Sequence, residues 1–315
     1  MPTPLIPQEI YLLERYTSLD YFAEMRDAWA AMVQAGEDAL EAFMRQLPPD
    51  YRSRPLWNQP DIVWGERVLP NLRWTLTGLN NGFIQLTHGE WDALQFAGNV
   101  NTACAGMNRD YSAEWMPESF AKTFDEQETI AGQAARNISF TVLSGWLFGA
   151  LSHGYHAPTR GPLNPPASWP VYRLNPHVRV RTDQAVPQNG IYLPDADDCS
   201  AQALVKGYDA PEANVGRNPV TTQRLRTEPT TWTLVERIAD EGGGTPGQED
   251  LSASAHTRLR REGGQPCPQA GWWYTPAQNH SRRYFKAGEL MPVVEGSSYG
   301  ETYWIWDPNQ EAPKL

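Results

Sequence analysis

Pro187-Gln188-Asn189-Gly190-Ile191-Tyr192 recurs as Pro268-Gln269-Ala270-Gly271-Trp272-Trp273, and each stretch runs on without a gap to Gly207-Tyr208-Asp209-Ala210-Pro211 and Gly288-Glu289-Leu290-Met291-Pro292. Identical residues stand at Pro187/Pro268, Gln188/Gln269, Gly190/Gly271, Ala196/Ala277, Ser200/Ser281, Gly207/Gly288 and Pro211/Pro292, where average usage gives about one or two by chance. Each stretch is punctuated as a small β-unit is, with a Pro-x-x-Gly turn before a bulky pair and a Gly-x-x-x-Pro turn at fixed distance. Glycine supplies positive φ and proline presets the bend, so Gly271 is expected at positive φ. The β-branched and aromatic runs Thr231–Val235 and Glu301–Trp306 are the expected closing strands. Two copies are too few for a solenoid. A pair of small packed sheets that superpose on one another is expected.

Upstream of the repeats the pattern is helical. From Asp20 onward Phe22, Met25, Trp29, Met32 and Val33 recur at three- and four-residue spacing. Gly36 is read as restarting a shorter helix that ends at Pro48-Pro49. A further helix is expected from about Asp61 to Leu86, kinked or divided at Pro70. Thr87-His88-Gly89-Glu90 resembles a capping box opening the next helix. A last helix is expected from about Asp125, with Asp125, Glu126 and Glu128 in its first turn, running into the apolar Ile138–Leu151 as the central buried helix. The proline-rich run between Ala157 and Pro170 is read as a domain boundary, and the Gly- and Ser-rich stretch from Glu241 to Gly264 as a mobile loop. The fold class is therefore α+β. A helical domain occupies 1–156, a linker 157–170, a first β-module 171–240, the loop 241–264 and a second β-module 265–315.

The chain has 315 residues and a formal charge of −11, which argues against nucleic-acid and anionic-membrane partners. The acidity is uneven: Met1 to His156 holds 10 basic and 19 acidic residues. Such a half reads first as solubilising surface charge, and second as one that would attract a basic protein at long range. Cys104, Cys199 and Cys267 are odd in number and far apart, so neither a disulfide framework nor a zinc knuckle is expected. Met1 to Phe22 lacks a basic segment followed by an apolar run, and Ile138–Leu151 is too short to span a bilayer. A cytoplasmic protein with reduced thiols is expected.

No motif brings a catalytic context with it. Gly296-Ser297-Ser298-Tyr299-Gly300 has the Gly-x-Ser-x-Gly spacing of a nucleophile elbow, but an aromatic strand follows it and no histidine lies downstream. His153 and His156 could share a helical turn as metal ligands; with no third ligand marked, partnering of a helix C-terminus is preferred. Asp195, Asp197 and Asp198 lack the glycine and distal glutamate of a calcium loop and read as a solvated acidic loop or partner contact. Gly242–Gly247 has no Lys-Ser or Lys-Thr after it and is no phosphate loop. Arg258, Arg260, Arg261, Arg282 and Arg283 lack a wider basic field. Trp272, Trp273, Trp304 and Trp306 crowd the second copy. Alternation sends Trp304 and Trp306 to one face, read first as core and second as a sugar- or peptide-binding platform or an interface hot spot. No catalytic residue, cofactor or metal is assigned.

Cys267–Trp273, Arg282–Pro292 and Gly300–Trp304 resemble the C-terminal module of immunity proteins encoded beside bacterial polymorphic toxins and type VI secretion effectors. Val186–Tyr192 through Asp209–Pro211 resembles its companion. The shared places Pro187, Gly190, Gly207, Pro211, Pro268, Gly271, Trp272, Gly288, Pro292 and Trp304 are structural ones. The resemblance implies a cytoplasmic antitoxin that blocks one cognate toxin domain and has no chemistry of its own. Asp195, Asp197, Asp198, Asp125, Glu126 and Glu128 are the expected contacts for a basic toxin. A carbohydrate- or peptide-binding module is the alternative, and an unrecognised hydrolase a third reading.

Overall fold

The computed structural model describes residues 3–218, 221–243, 260–275, 277–278, 281–294, 302–307 and 310. The chain divides into two compact units, Met1–Gly243 and Gly244–Leu315. The division falls after the first β-module, so the proline-rich run does not separate two bodies. Residues 157–160 form a short helix, and buried side chains of the helices and of the first sheet make one continuous core.

The helical part is α1 (Pro7–Tyr16), α2 (Leu19–Met44), α3 (Leu69–Thr87), α4 (Ala97–Asp110), α5 (Glu118–Val142) and α6 (Ala157–Arg160). Ser18 caps α2 by accepting the Tyr21 amide at 3.2 Å. Phe22, Met25, Trp29, Met32 and Val33 face inward as their spacing predicts. Gly36 does not restart a helix. It lies inside the 26-residue α2, where a Cβ would stand 3.0 Å from Leu69 and 3.3 Å from Phe124, so its small size lets three helices approach. Before α3, Asp61–Val68 forms a π-helix. Pro70 offers no N–H and its ring crowds the preceding turn, which the wider coil accommodates.

Three expectations in this half are corrected. Thr87–Glu90 is no capping box: His88 is the C-cap of α3, Gly89 takes φ +80° and Thr87 Oγ1 donates to Ile84 O at 2.6 Å. The expected helical run does follow, as a 3-10 turn at Trp91–Phe96 that continues into α4 without a side-chain cap. The helix expected from Asp125 begins at Glu118. Asp125, Glu126 and Glu128 therefore lie beyond the first turn and outside the strong reach of its dipole. The apolar Ile138–Leu151 run is not one helix, because α5 stops at Val142 and Ser144 takes φ +49°. Beyond it Trp146 and Leu151 are buried in a non-helical return.

The first β-module comprises β1 (Trp169–Arg181), β2 (Gly190–Pro194), β3 (Gln202–Leu204), β4 (Ala213–Arg217), β5 (Arg224–Glu228) and β6 (Thr231–Gly243). The second comprises β7 (Arg260–Glu262), β8 (Gly271–Tyr274), β9 (Arg283–Phe285) and β10 (Tyr303–Trp306). The loop expected over 241–264 is narrower, since 241–243 complete β6 and 260–262 form β7; residues 244–259 lie outside the described residues.

The two four-stranded sheets are the same sheet. Their orders are β1-β6-β2-β3 and β7-β10-β8-β9, with matching register. Gly190, Ile191 and Tyr192 pair with Leu204, Ala203 and Gln202, as Gly271, Trp272 and Trp273 pair with Phe285, Tyr284 and Arg283. Val180 opposes Trp232 as Arg261 opposes Trp304. The turns match bond for bond: Gly207 N donates to Val186 O at 2.9 Å and Gly288 N to Cys267 O at 2.8 Å, with both glycines near φ +84°. Trp232 Nε1 donates to Pro211 O at 2.8 Å, and Trp304 Nε1 to Pro292 O at 2.8 Å. In the first copy a β4–β5 hairpin lies between Pro211 and β6.

Gly271 is not at positive φ. It must be glycine because Trp306 lies over it, leaving no room for a Cβ, as Leu234 lies over Gly190 at 2.6 Å from its would-be Cβ. Gly271→Val should therefore destabilise the second sheet by about 1–3 kcal/mol through overpacking. Hydrogen exchange at the Trp273 and Ile305 amides reads this: faster exchange with the first sheet unaffected is expected, and exchange equal to the parent's would contradict it.

Candidate functional site

The described residues hold concave and exposed surfaces rather than a converged set of reactive groups. Among them no three His, Cys, Asp or Glu residues are placed to hold a metal ion. His153 and His156 do not share a helical turn, because α5 has already ended at Val142. His153 packs against Phe148, and His156 precedes α6 with Nδ1 2.7 Å from Thr159 Oγ1. The Gly296–Gly300 motif lies outside the described residues. Cys104, Cys199 and Cys267 are free thiols. Burial pushes Cys104 up to about 12, helped by Glu128, and Cys199 up to about 11, and it raises Cys267 as well. Thiols so shifted are poor nucleophiles at neutral pH.

The predicted acidic loop is exposed and firmly held. Asp195, Asp197 and Asp198 follow β2 with their side chains in solvent. The loop is anchored by its backbone. Thr3 Oγ1 donates to Ala196 O at 2.6 Å and accepts from Cys199 N at 3.0 Å, Asp195 N donates to Thr231 O at 2.9 Å, and Asp198 O accepts from Gly216 N at 2.9 Å. Asp198 sits at φ +52°, a left-handed conformation that Asp tolerates. Asp125 and Glu126 are exposed on α5, Glu126 opposite Lys122 at 3.9 Å, and Glu128 accepts from Asn108 at 2.7 Å. The two acidic groups thus sit on different elements and form no common cluster.

Concave surfaces accompany them. A cleft of about 620 Å³ lies between the ends of α4 and α5 and the first sheet, lined by Asn101, Ser139, Leu143, Leu204 and Tyr208 among others. A hollow of about 760 Å³ lies beside the π-helix, against Leu56, Trp57, Trp64 and Trp115. Trp57 is 77 % exposed, and Trp74, by the adjoining hollow, 68 %. Aromatic side chains standing in solvent beside a concavity suit binding of a partner.

Glu9 is the functional group that the motif reading passed over. It is 2 % exposed on the buried face of α1, in line with Leu12, Leu13 and Tyr16. Ser152 Oγ donates to its Oε1 at 2.7 Å and Ser200 Oγ to its Oε2 at 3.1 Å. One carboxylate thus joins α1, the return after α5 and the strand-leading residue of β3. Beside it Gln202 Nε2 donates to Trp146 O at 2.7 Å and Gln202 Oε1 accepts from Trp146 N at 3.3 Å. The helical spacing carried the signal: a carboxylate at i, with apolar residues at i+3, i+4 and i+7, falls on the inward face.

No protein-family model matches the chain, and neither the curated proteins nor the solved structures offer a match.

Burial lifts the Glu9 carboxyl above its ordinary 4.5, and the two serine hydroxyls offset this only in part. Because the folded state holds this proton more tightly, its contribution to stability is whole below pH 4.5 and is lost as pH rises through the folded value. Glu9→Gln, which has no proton to lose, should therefore gain stability relative to the parent as pH rises from 4 to 8. Denaturant midpoints across that range test it, and a difference independent of pH would contradict it. Glu9→Ala should instead cost about 1–3 kcal/mol, leaving both hydroxyls without their acceptor.

Proposed function

We propose that this chain is an immunity protein that binds one cognate secreted toxin domain and occludes its active site or substrate groove. The observation that carries the reading is the role of the residues resembling the immunity module. Pro211, Gly207 and Gly190, with Pro292, Gly288, Gly271 and Trp304, make the turns, the close approaches and the indole-to-proline bond in both sheets. The resemblance thus rests on residues that build a frame, as expected for a module inherited as a scaffold.

The partner's chemistry follows from charge. A formal charge of −11 favours a basic toxin domain over nucleic acid. Among the described residues no helix is long and apolar enough to cross a membrane, which fits a partner met away from the bilayer. Action in the cytoplasm belongs to the same proposal. The anchored aspartates supply fixed exposed charge for capture, and apolar side chains then set the lifetime of the complex.

Co-purification with the toxin domain encoded by the adjacent gene, together with protection of cells that express it, tests the reading. Association measured by stopped flow should slow as salt rises from 0.1 M to 1 M, where the Debye length falls from about 10 Å to about 3 Å. Replacing Asp195, Asp197 and Asp198 together by lysine should slow association about tenfold or more at low salt without unfolding the protein. A salt-independent rate in the parent would contradict electrostatic capture, and a normal rate in the triple variant would remove that loop from it.

A further inference from the structure

Each sheet of the repeat has its own core on one face. In the first copy Val186, Tyr192, Leu204, Ala210, Trp232 and Leu234 form it, and the matched places Cys267, Trp273, Phe285, Met291, Trp304 and Trp306 form it in the second. Alternation along the strands then defines an opposite face. In the first copy that face carries Ile191, Leu193, Ala201, Ala203 and Val235, all buried in the core shared with the helices. Ile191 is 4 % exposed and Ala203 2 %. Helices α1 and α5 cover it.

The matched places in the second copy are Trp272, Tyr274, Arg282, Tyr284 and Asp307, and their chemistry has changed. Trp272 and Tyr284 stand edge to face at 5.7 Å, where the first copy has Ile191 and Ala203. The Arg282 guanidinium lies 4.4 Å over the Trp272 ring and bonds Asp307. Tyr284 is 51 % exposed. Trp272, Tyr274, Arg282 and Asp307 are half-buried, and Trp, Tyr and Arg are the residues enriched where proteins meet reversibly.

We propose that this Trp272–Tyr284–Arg282 face is the docking surface for an α-helical surface of the partner toxin domain. The helical occupant follows from the repeat itself: the same strands in the same register already seat helices in the first copy. The aromatic and guanidinium groups offer flat, amphipathic area with few rotors to fix, which suits a contact that must form and dissociate. The proposal rests on the immunity reading and assigns it a surface.

Calorimetric titration of the full chain with the purified toxin domain of the adjacent gene, carrying an inactivating substitution, tests it. The variants are Trp272→Ala with Tyr284→Ala, Tyr284→Ala alone, and Leu225→Ala on β5 of the first module as a control. The double variant should lose about thirtyfold or more in affinity, with unchanged exchange protection on β10, while the control binds as the parent does. Tyr284→Ala removes only a half-exposed ring, so a smaller loss in the same direction is expected even if the double variant folds poorly. Hydrogen exchange on the toxin domain should slow within a helix on binding. If the parent binds and both variants bind equally well, the docking face is overturned while the immunity reading stands. If the parent does not bind at all, both fall. Saturable quenching by cello- or chito-oligosaccharides that the double variant loses, with toxin affinity unchanged, would overturn it in favour of a glycan platform; a parent dimer that the variant loses would overturn it in favour of self-association.

Discussion

In each sheet of this protein one buried indole N–H finds its acceptor in a proline carbonyl, whereas the buried Trp273 indole of the second core has no acceptor among the described residues. Trp232 reaches Pro211 and Trp304 reaches Pro292, both at 2.8 Å. The bond ties the closing strand to the turn that follows the third strand, across the core that the strands enclose. A tryptophan buried without it would leave a donor unpaired at a cost of about 1–3 kcal/mol. That bond holds the Gly-x-x-x-Pro turn against the closing strand in both sheets, whose strand orders match. The first copy satisfies it even with the β4–β5 hairpin inserted between the proline and the tryptophan.

With the inner face so constrained, the copies were free to differ on the outer one. The first turned it into an aliphatic seat for α1 and α5. Polar fixings at the margin hold that seat in register. Glu9 bonds Ser200, Tyr172 OH donates to Glu14 at 2.7 Å, and Arg237 bonds the same glutamate. The second copy replaced the aliphatic residues by Trp272, Tyr284 and the Arg282–Asp307 pair. Ser281, the counterpart of Ser200, donates to Thr275 O at 2.6 Å within its own turn instead of to a helix. A duplicated module thus carries an aliphatic, helix-covered outer face in one copy and an aromatic, partly exposed one in the other.

The repeat, its strands and its turn glycines were legible because they depend on local rules: period two, proline where the chain bends, glycine where φ is positive. The inward stripe of α2 was legible for the same reason. What sequence left hidden depends on contacts between distant segments. Gly36 reads as a break until Leu69 and Phe124 are seen against it, and Gly271 reads as a turn residue until Trp306 is seen above it. The 157–170 run has the composition of a linker, yet the flanking parts share one core, which no local composition reports. Of the expected contact residues, the exposure of Asp195, Asp197 and Asp198 was readable from their setting. Their anchoring by Thr3, nearly two hundred residues away, was not. Nor could Trp272 be told from Trp273 as the outward ring until the core side of the sheet was known.

The central claim is that equivalent faces of one repeated sheet have opposite fates, one sealed against helices and one kept for a partner. Hydroxyl-radical footprinting of the full chain, read residue by residue by mass spectrometry, addresses it directly. In the free protein Tyr284, and to a lesser extent Trp272, should be labelled while Trp232 and Trp304 stay protected, and on adding the proposed toxin partner Trp272 and Tyr284 should become protected too. Protection of Trp272 and Tyr284 in the free monomer, or labelling that the toxin domain leaves unchanged, would contradict the account.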